Sequence, residues 1–270
     1  MLPATFSVLF VLLAQLTSNS SSNDIFHLPT ERAAYIQIIF RWLHFLAGIT
    51  WIGHLYFFNL VNVNFMKSLD GPTKGKVIPQ LMPRTLWWFR WGAALTVLVG
   101  LAYYVMYMIA PDARRNGAAG RGTMIIFLVW LIIIVAFFAI EFFVLRKINN
   151  GWLVAVIVFL LMVVMSIVIL YWLRSSLPAV LSTGTASIGI GGAIGIMMLL
   201  NVWGIIWPNQ KRIISWTADN AENGTAIPSE SAGLARVAFL ASRTNTWLSV
   251  PMLFFMGASA HFGGYLGYTP

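Results

Sequence analysis

Two histidines and an arginine inside one apolar stretch are the first residues in this chain that could do chemistry. Residues 41–54 read Arg41-Trp42-Leu43-His44-Phe45-Leu46-Ala47-Gly48-Ile49-Thr50-Trp51-Ile52-Gly53-His54. Ionisable groups at membrane depth are costly, so each one here is a functional candidate. On a helix, residues three, four and seven apart share a face, which puts Arg41, His44, Gly48 and Trp51 on one stripe. A glycine one turn from an imidazole leaves a gap beside it, wide enough for a flat cofactor to approach the backbone. His54 lies ten residues beyond His44, roughly 80° off that stripe. The two are not expected to share a ligand.

A further histidine, His261, stands near the end of the chain among small residues: Gly257, Ala258, Ser259 and Ala260 before it, Gly263 and Gly264 after. Two histidines on different helices at one depth could be the axial ligands of a b-type haem, which needs no cysteine. His44 and His261 would be the metal ligands, with Gly48 and Trp51 beside the cofactor. The alternative is that each imidazole hydrogen-bonds within the bundle. The chain has no cysteine, which excludes disulfides, thiolate metal sites, iron–sulfur clusters and covalently attached c-type haem. His54 belongs to an inner polar group with Glu141, near Asn59, Asn62, Arg90 and Asn201 in depth. A buried Glu141–Arg90 pair there would either tie helices together or line a pocket for a polar ring.

These residues need elements to hold them, and the composition says which. The chain is 59% hydrophobic and 9% charged, with a mean hydropathy of +0.79; a soluble domain carries about 25% charged residues. The expected fold is all-α: a polytopic integral membrane helix bundle of about six transmembrane helices. Residues 1–22 read as a signal peptide or a short retained anchor, an apolar run followed by Thr17-Ser18-Asn19-Ser20-Ser21-Ser22. His27 reads as an exposed loop residue. Residues 23–270 form one domain with spans at about 36–64, 87–110, 124–145, 152–173, 187–207 and 246–266. Gly71-Pro72, Pro79 and Pro83 mark 67–84 as a loop, Pro111 to Gly122 read as a short basic loop, and Pro208 stops the fifth span. Residues 230–243 read as an amphipathic interfacial helix. Gly191 and Gly195 form a Gly-x-x-x-Gly pair suited to helix packing, and the Met162/Met165 and Met197/Met198 pairs also read as packing.

The net charge of +9 is a matter of topology, and no nucleic-acid partner is expected. Arg32, Arg41, Arg114, Arg115, Arg121 and Arg174 fall on one side, six in all. The other side carries eleven: Lys67, Lys74, Lys76, Arg84, Arg90, Arg146, Lys147, Lys211, Arg212, Arg236 and Arg243. The second set is expected to be cytoplasmic. Both mature termini then face outward from a bacterial inner (cell) membrane. The Asn223-Gly224-Thr225 sequon falls on the inner side, where it has no use.

Four blocks together resemble the membrane domain of the cytochrome-c-coupled urate oxidase (urate hydroxylase) family. They are Arg41-Trp42-Leu43-His44 with Gly48-Ile49-Thr50-Trp51-Ile52-Gly53; Trp88-Phe89-Arg90-Trp91; Asn201-Val202-Trp203 with Ile206-Trp207-Pro208-Asn209-Gln210; and Arg243-Thr244-Asn245-Thr246-Trp247-Leu248-Ser249-Val250-Pro251 through Phe254-Phe255-Met256 to His261. The resemblance covers about residues 36–262. It implies a helical membrane domain that oxidises urate and passes electrons to a fused cytochrome c, with Arg90, Asn201 and Asn245 as catalytic positions beside His44 and His261. Where the family pattern has a histidine and a glutamate around the second-span Trp-Phe block, this chain has Trp87 and Gly92. No cytochrome c domain follows within its 270 residues. The expected function is a membrane redox protein that binds haem b. It would pass electrons from a small reductant, urate or a quinol, to a separate cytochrome c or redox subunit. The alternatives are a non-catalytic membrane subunit, or a copper or small-solute transport protein.

Overall fold

Long runs of Ile, Val, Leu and Phe, many of them β-branched, are weak helix formers in water. In lipid the backbone must satisfy its own hydrogen bonds, and a helix is the way one segment can do so. The computed structural model describes residues 31–261; these form helices joined by short connections, with no strand among them. The helices are α1 (Arg32–Ser68), α2 (Gly71–Arg115), α3 (Arg121–Lys147), α4 (Gly151–Ser176), α5 (Thr183–Asn223) and α6 (Ser231–His261). The first five are long and apolar enough to cross a membrane. The sixth expected span falls on the second half of α6, and its residues 262–266 lie outside the described residues, as do the leader at 1–22 and His27. Residues up to Ile39 form a unit of their own, described only as the first turns of α1; the packed body begins at Phe40.

Polar caps start the helices. Asp70 accepts the Thr73 amide at 2.7 Å, Asn150 those of Trp152 and Leu153, and Ser182 that of Thr185. Gly224, in left-handed conformation at φ 71°, ends α5. The connection between α4 and α5 is fastened by residues at the end of α2. Asp112 accepts the Ser182 amide and hydroxyl at 2.9 and 2.7 Å, and the Asn116 carboxamide bonds the backbone of Ala179 and Val180.

α5 is the central post. In its most apolar stretch 67% is buried, against 11–28% for the other four spanning helices. Glycines make this closeness feasible. A Cβ on Gly191 would lie 3.0 Å from Phe255 Cβ and 3.3 Å from the α6 backbone at Met252 and Met256. Gly191 is therefore a packing glycine, as the Gly-x-x-x-Gly spacing predicts.

Three expected breaks are not breaks. Residues 71–84 continue α2 despite Pro79 and Pro83. α2 also runs through Pro111, and α5 through Pro208. At the last two the reason is visible: a π-helical turn, Val105–Ile109 or Val202–Ile206, lies just upstream of each proline. The wider turn accommodates the missing N–H. The interfacial helix expected at 230–243 and the last span are likewise one continuous helix, α6. Of these, α2 has 45 residues and α5 has 41. At 1.5 Å per residue both are about twice the roughly 30 Å hydrocarbon thickness. The start of α2 and the end of α5 pack on each other, with Gly75 against Ala221.

Candidate functional site

His44 is held by α2. Its Nδ1 is 2.9 Å from the Thr96 carbonyl oxygen. A carbonyl only accepts, so Nδ1 carries the hydrogen and Nε2 keeps its lone pair. Gly100 makes the approach feasible: a Cβ there would lie 2.9 Å from His44 Cε1 and 3.0 Å from Nδ1. One turn earlier, Arg41 Nε donates to the Tyr103 hydroxyl at 2.8 Å.

The glycine expected to open a gap beside the imidazole faces α2 instead. A Cβ on Gly48 would meet Thr96 Cγ2 at 3.7 Å, and Gly92 sits against the backbone of Ala47 and Trp51. Gly48 and Trp51 thus lie in the α1–α2 contact, where Trp51 is buried and its Nε1 has no partner. The glycine that accommodates the ring is Gly100, on another helix and invisible to the spacing rule within 41–54.

His261 is exposed at the last described turn of α6. Cross-helix bonds relate α6 to α1. Tyr56 and Ser249 share a hydrogen bond at 2.9 Å, and Asn59 Nδ2 donates to Ser242 Oγ at 2.8 Å. Numbers rise along α1 as they fall along α6, so the two run antiparallel. His44 precedes Tyr56 by twelve residues and His261 follows Ser249 by twelve, about 18 Å in each case. Both histidines therefore lie on the same side of that α1–α6 contact.

The most enclosed polar group joins α3, α5 and α6. Glu141 on α3, Asn201 on α5 and Asn245 on α6 are all fully buried. Asn201 Nδ2 donates to Glu141 Oε1 and to Asn245 Oδ1, both at 2.9 Å, and Asn245 Nδ2 donates to the Met198 carbonyl at 2.9 Å. Asn201 is the last α-helical residue before the π-turn of α5; such turns gather at functional sites. A second π-turn, Phe57–Asn62, carries the buried Asn59 and Asn62.

Glu141 and Arg90 are not an ion pair. Among the described residues the ion pairs are Arg115–Asp112 and Arg212–Glu230. The Arg90 guanidinium stands 3.7 Å from the Trp207 ring centre and 5.7 Å from that of Trp203, whose Nε1 donates to the Arg90 carbonyl at 3.2 Å. An aromatic box takes the place of a carboxylate. His54 is also apart from Glu141. Its Nδ1 bonds the Thr50 carbonyl at 2.7 Å, and it lines an open groove between α1 and α2 with Ile49, Thr50, Gly53, Phe57 and Thr85. Arg90, Asn201 and Asn245 each tie one helix to another, while His44 and His54 are each held by a backbone carbonyl.

Fold and site together define a polytopic helical membrane domain with a polar centre and carbonyl-oriented histidines. The family model of the urate oxidase N-terminal domain matches residues 30–269, and the chain belongs to that family. No curated protein and no solved structure matches it.

Proposed function

We propose that this is a membrane redox protein of the urate-oxidase type. Electrons from a small reductant, urate or a quinol, pass to a cytochrome c or redox subunit outside the membrane. The observation that carries the reading is the state of His44. With Nδ1–H committed to the Thr96 carbonyl, Nε2 has the free lone pair that a metal ligand needs, and the bonded carbonyl raises its basicity. His44 and His261 would hold a b-type haem, which supplies one-electron redox chemistry when bound. Imidazole nitrogens are donors of the kind such a haem takes. Gly48 and Trp51 are spent in the α1–α2 contact and would not line it. Arg90, Asn201 and Asn245 act as positioning residues that fix α5 against α2, α3 and α6. The distribution of Lys and Arg orients the bundle in a bacterial cell membrane, with the N-terminal end of α1 and the C-terminal end of α6 outward.

The test is an absorption spectrum of the detergent-purified protein, followed by reduction of added cytochrome c by urate. A dithionite-reduced b-type α-band is expected, lost in His44→Ala and in His261→Ala. Protein that stays colourless after reconstitution with haem rejects the haem site, and absence of urate-dependent reduction rejects urate as reductant. A second reading, a membrane subunit that keeps the fold without the oxidation, is favoured by Gly92. A Cβ there would lie 3.2 Å from the Trp51 amide nitrogen and 3.3 Å from the Ala47 carbonyl oxygen, so the family's glutamate would require the α1 backbone to give way.

A further inference from the structure

One buried carboxyl has no use in the redox reading. Glu141 is fully buried in α3, inside a membrane-spanning stretch. No basic side chain among the described residues forms an ion pair with it. The cations on neighbouring helices are engaged elsewhere. Arg90 stacks on Trp207, Arg146 on Phe142 and Arg243 on Phe239, while Arg236 Nη2 donates to the Ile148 carbonyl. α4 has no ionisable side chain before Tyr171.

Two enclosed atoms of this group lack a hydrogen-bond partner, Glu141 Oε2 and Asn201 Oδ1. They belong to two side chains already joined by one bond, Asn201 Nδ2 to Glu141 Oε1. Turning the Asn201 amide over cannot supply a donor. Its other N–H is given to Asn245 Oδ1, and the Asn245 amide is fixed by the Met198 carbonyl, which only accepts. An ionised Glu141 would leave a bare charge and two orphaned acceptors at membrane depth, each a large cost. A single proton on Oε2 removes all three.

We propose that Glu141 and Asn201 form a buried proton site. Glu141 is a neutral carboxylic acid whose Oε2–H donates to Asn201 Oδ1, while Asn201 Nδ2–H donates to Oε1, closing an acid–amide ring between α3 and α5. The ligand is a proton, and the ring is an internal proton donor and acceptor next to the π-turn of α5. The site does not depend on the redox reading.

The test can be made on the unaltered chain. It has four glutamates, and Glu31, Glu222 and Glu230 are exposed. Protein labelled with carbon-13 at the glutamate carboxyls and held in lipid nanodiscs is measured by infrared spectroscopy at neutral pH. One label in four is expected to show the carbonyl stretch of a protonated acid, shifted by deuterium oxide. That band is absent in Glu141→Gln. The variant melts with the wild type, because its amide supplies the donor to Asn201 Oδ1. Four ionised glutamates at neutral pH overturn the proposal. So does thermal stabilisation by sodium or potassium that Glu141→Gln loses, since the two oxygens would then hold a metal cation.

Discussion

Replacing Gly100 by alanine tests whether α2 sets the state of His44. The new Cβ would lie 2.9 Å from Cε1 and 3.0 Å from Nδ1 of the imidazole. Carbon atoms rest at about 3.5 Å or more, so the ring must retreat by about 0.6 Å. A bond that begins at 2.9 Å then stretches towards the limit near 3.5 Å where it ceases to count. Overpacking costs about 1–3 kcal/mol, and the lost bond about 0.5–1.5 kcal/mol. The ring can tilt as it moves, which places the expected total near the lower end, about 2 kcal/mol. Gly53→Ala is the control. It lies on α1 with nothing within 4 Å of its would-be Cβ, and an alanine in a helix gains about 0.5–1 kcal/mol over glycine. The assay is unfolding of both variants in one detergent, with nitrogen-15 spectra of labelled histidine to read the tautomer. Gly100→Ala should be the less stable and lose the fixed Nδ1–H form of His44. Equal stability with an unchanged tautomer would refute the assignment of Gly100 as the niche for the ring.

Three further outcomes follow from the packing and the caps. Asn201→Ala strands Glu141 Oε1 and Asn245 Oδ1 in the core; the expected loss is about 2–4 kcal/mol. Combined with Asn245→Ala it should be less than additive in a thermal-unfolding cycle, and strict additivity would break the network reading. Gly191→Ala drives a Cβ against the α6 backbone, which cannot step aside, and should cost about 1–3 kcal/mol. Gly195→Ala, with Met252 Cγ at 4.0 Å, should be no less stable than wild type, and equal melting of the two variants would contradict the close α5–α6 contact. At the start of α2, hydrogen bonds from the Thr73 hydroxyl and amide hold the Asp70 carboxyl below its ordinary range. A depressed carboxyl stabilises above its unfolded pKa, and the effect fades as pH falls through the folded one. Asp70→Ala should therefore be less stable than wild type at neutral pH, and the gap should close in acid. A gap independent of pH would show that charge has no part in the cap.

The sequence shows most of the fold and only half of the site, and one physical reason covers both. Spans are legible because lipid imposes length and apolarity on contiguous residues, and five helices among the described residues are long and apolar enough to cross a membrane. Pro79, Pro83, Pro111 and Pro208 mislead because proline breaks a helix through its own missing N–H. Whether a neighbouring turn can widen to absorb that loss is set by tertiary contacts. The polar centre divides in the same way. Glu141, Asn201 and Asn245 stand out one by one, since each is expensive at depth. Their partners cannot be read from spacing, because they come from three helices. That is why depth alone groups Glu141 with His54, Arg90 and Asn201, and only the packing of α3 on α5 selects Asn201 as its partner. Gly48 shows the limit most plainly. One turn from His44 it looks like room for a cofactor, yet a missing Cβ says only that something comes close. Thr96 of α2 takes that space. The room the imidazole needs is left by Gly100, fifty-six residues further along, and only the antiparallel contact of α1 with α2 brings the two together.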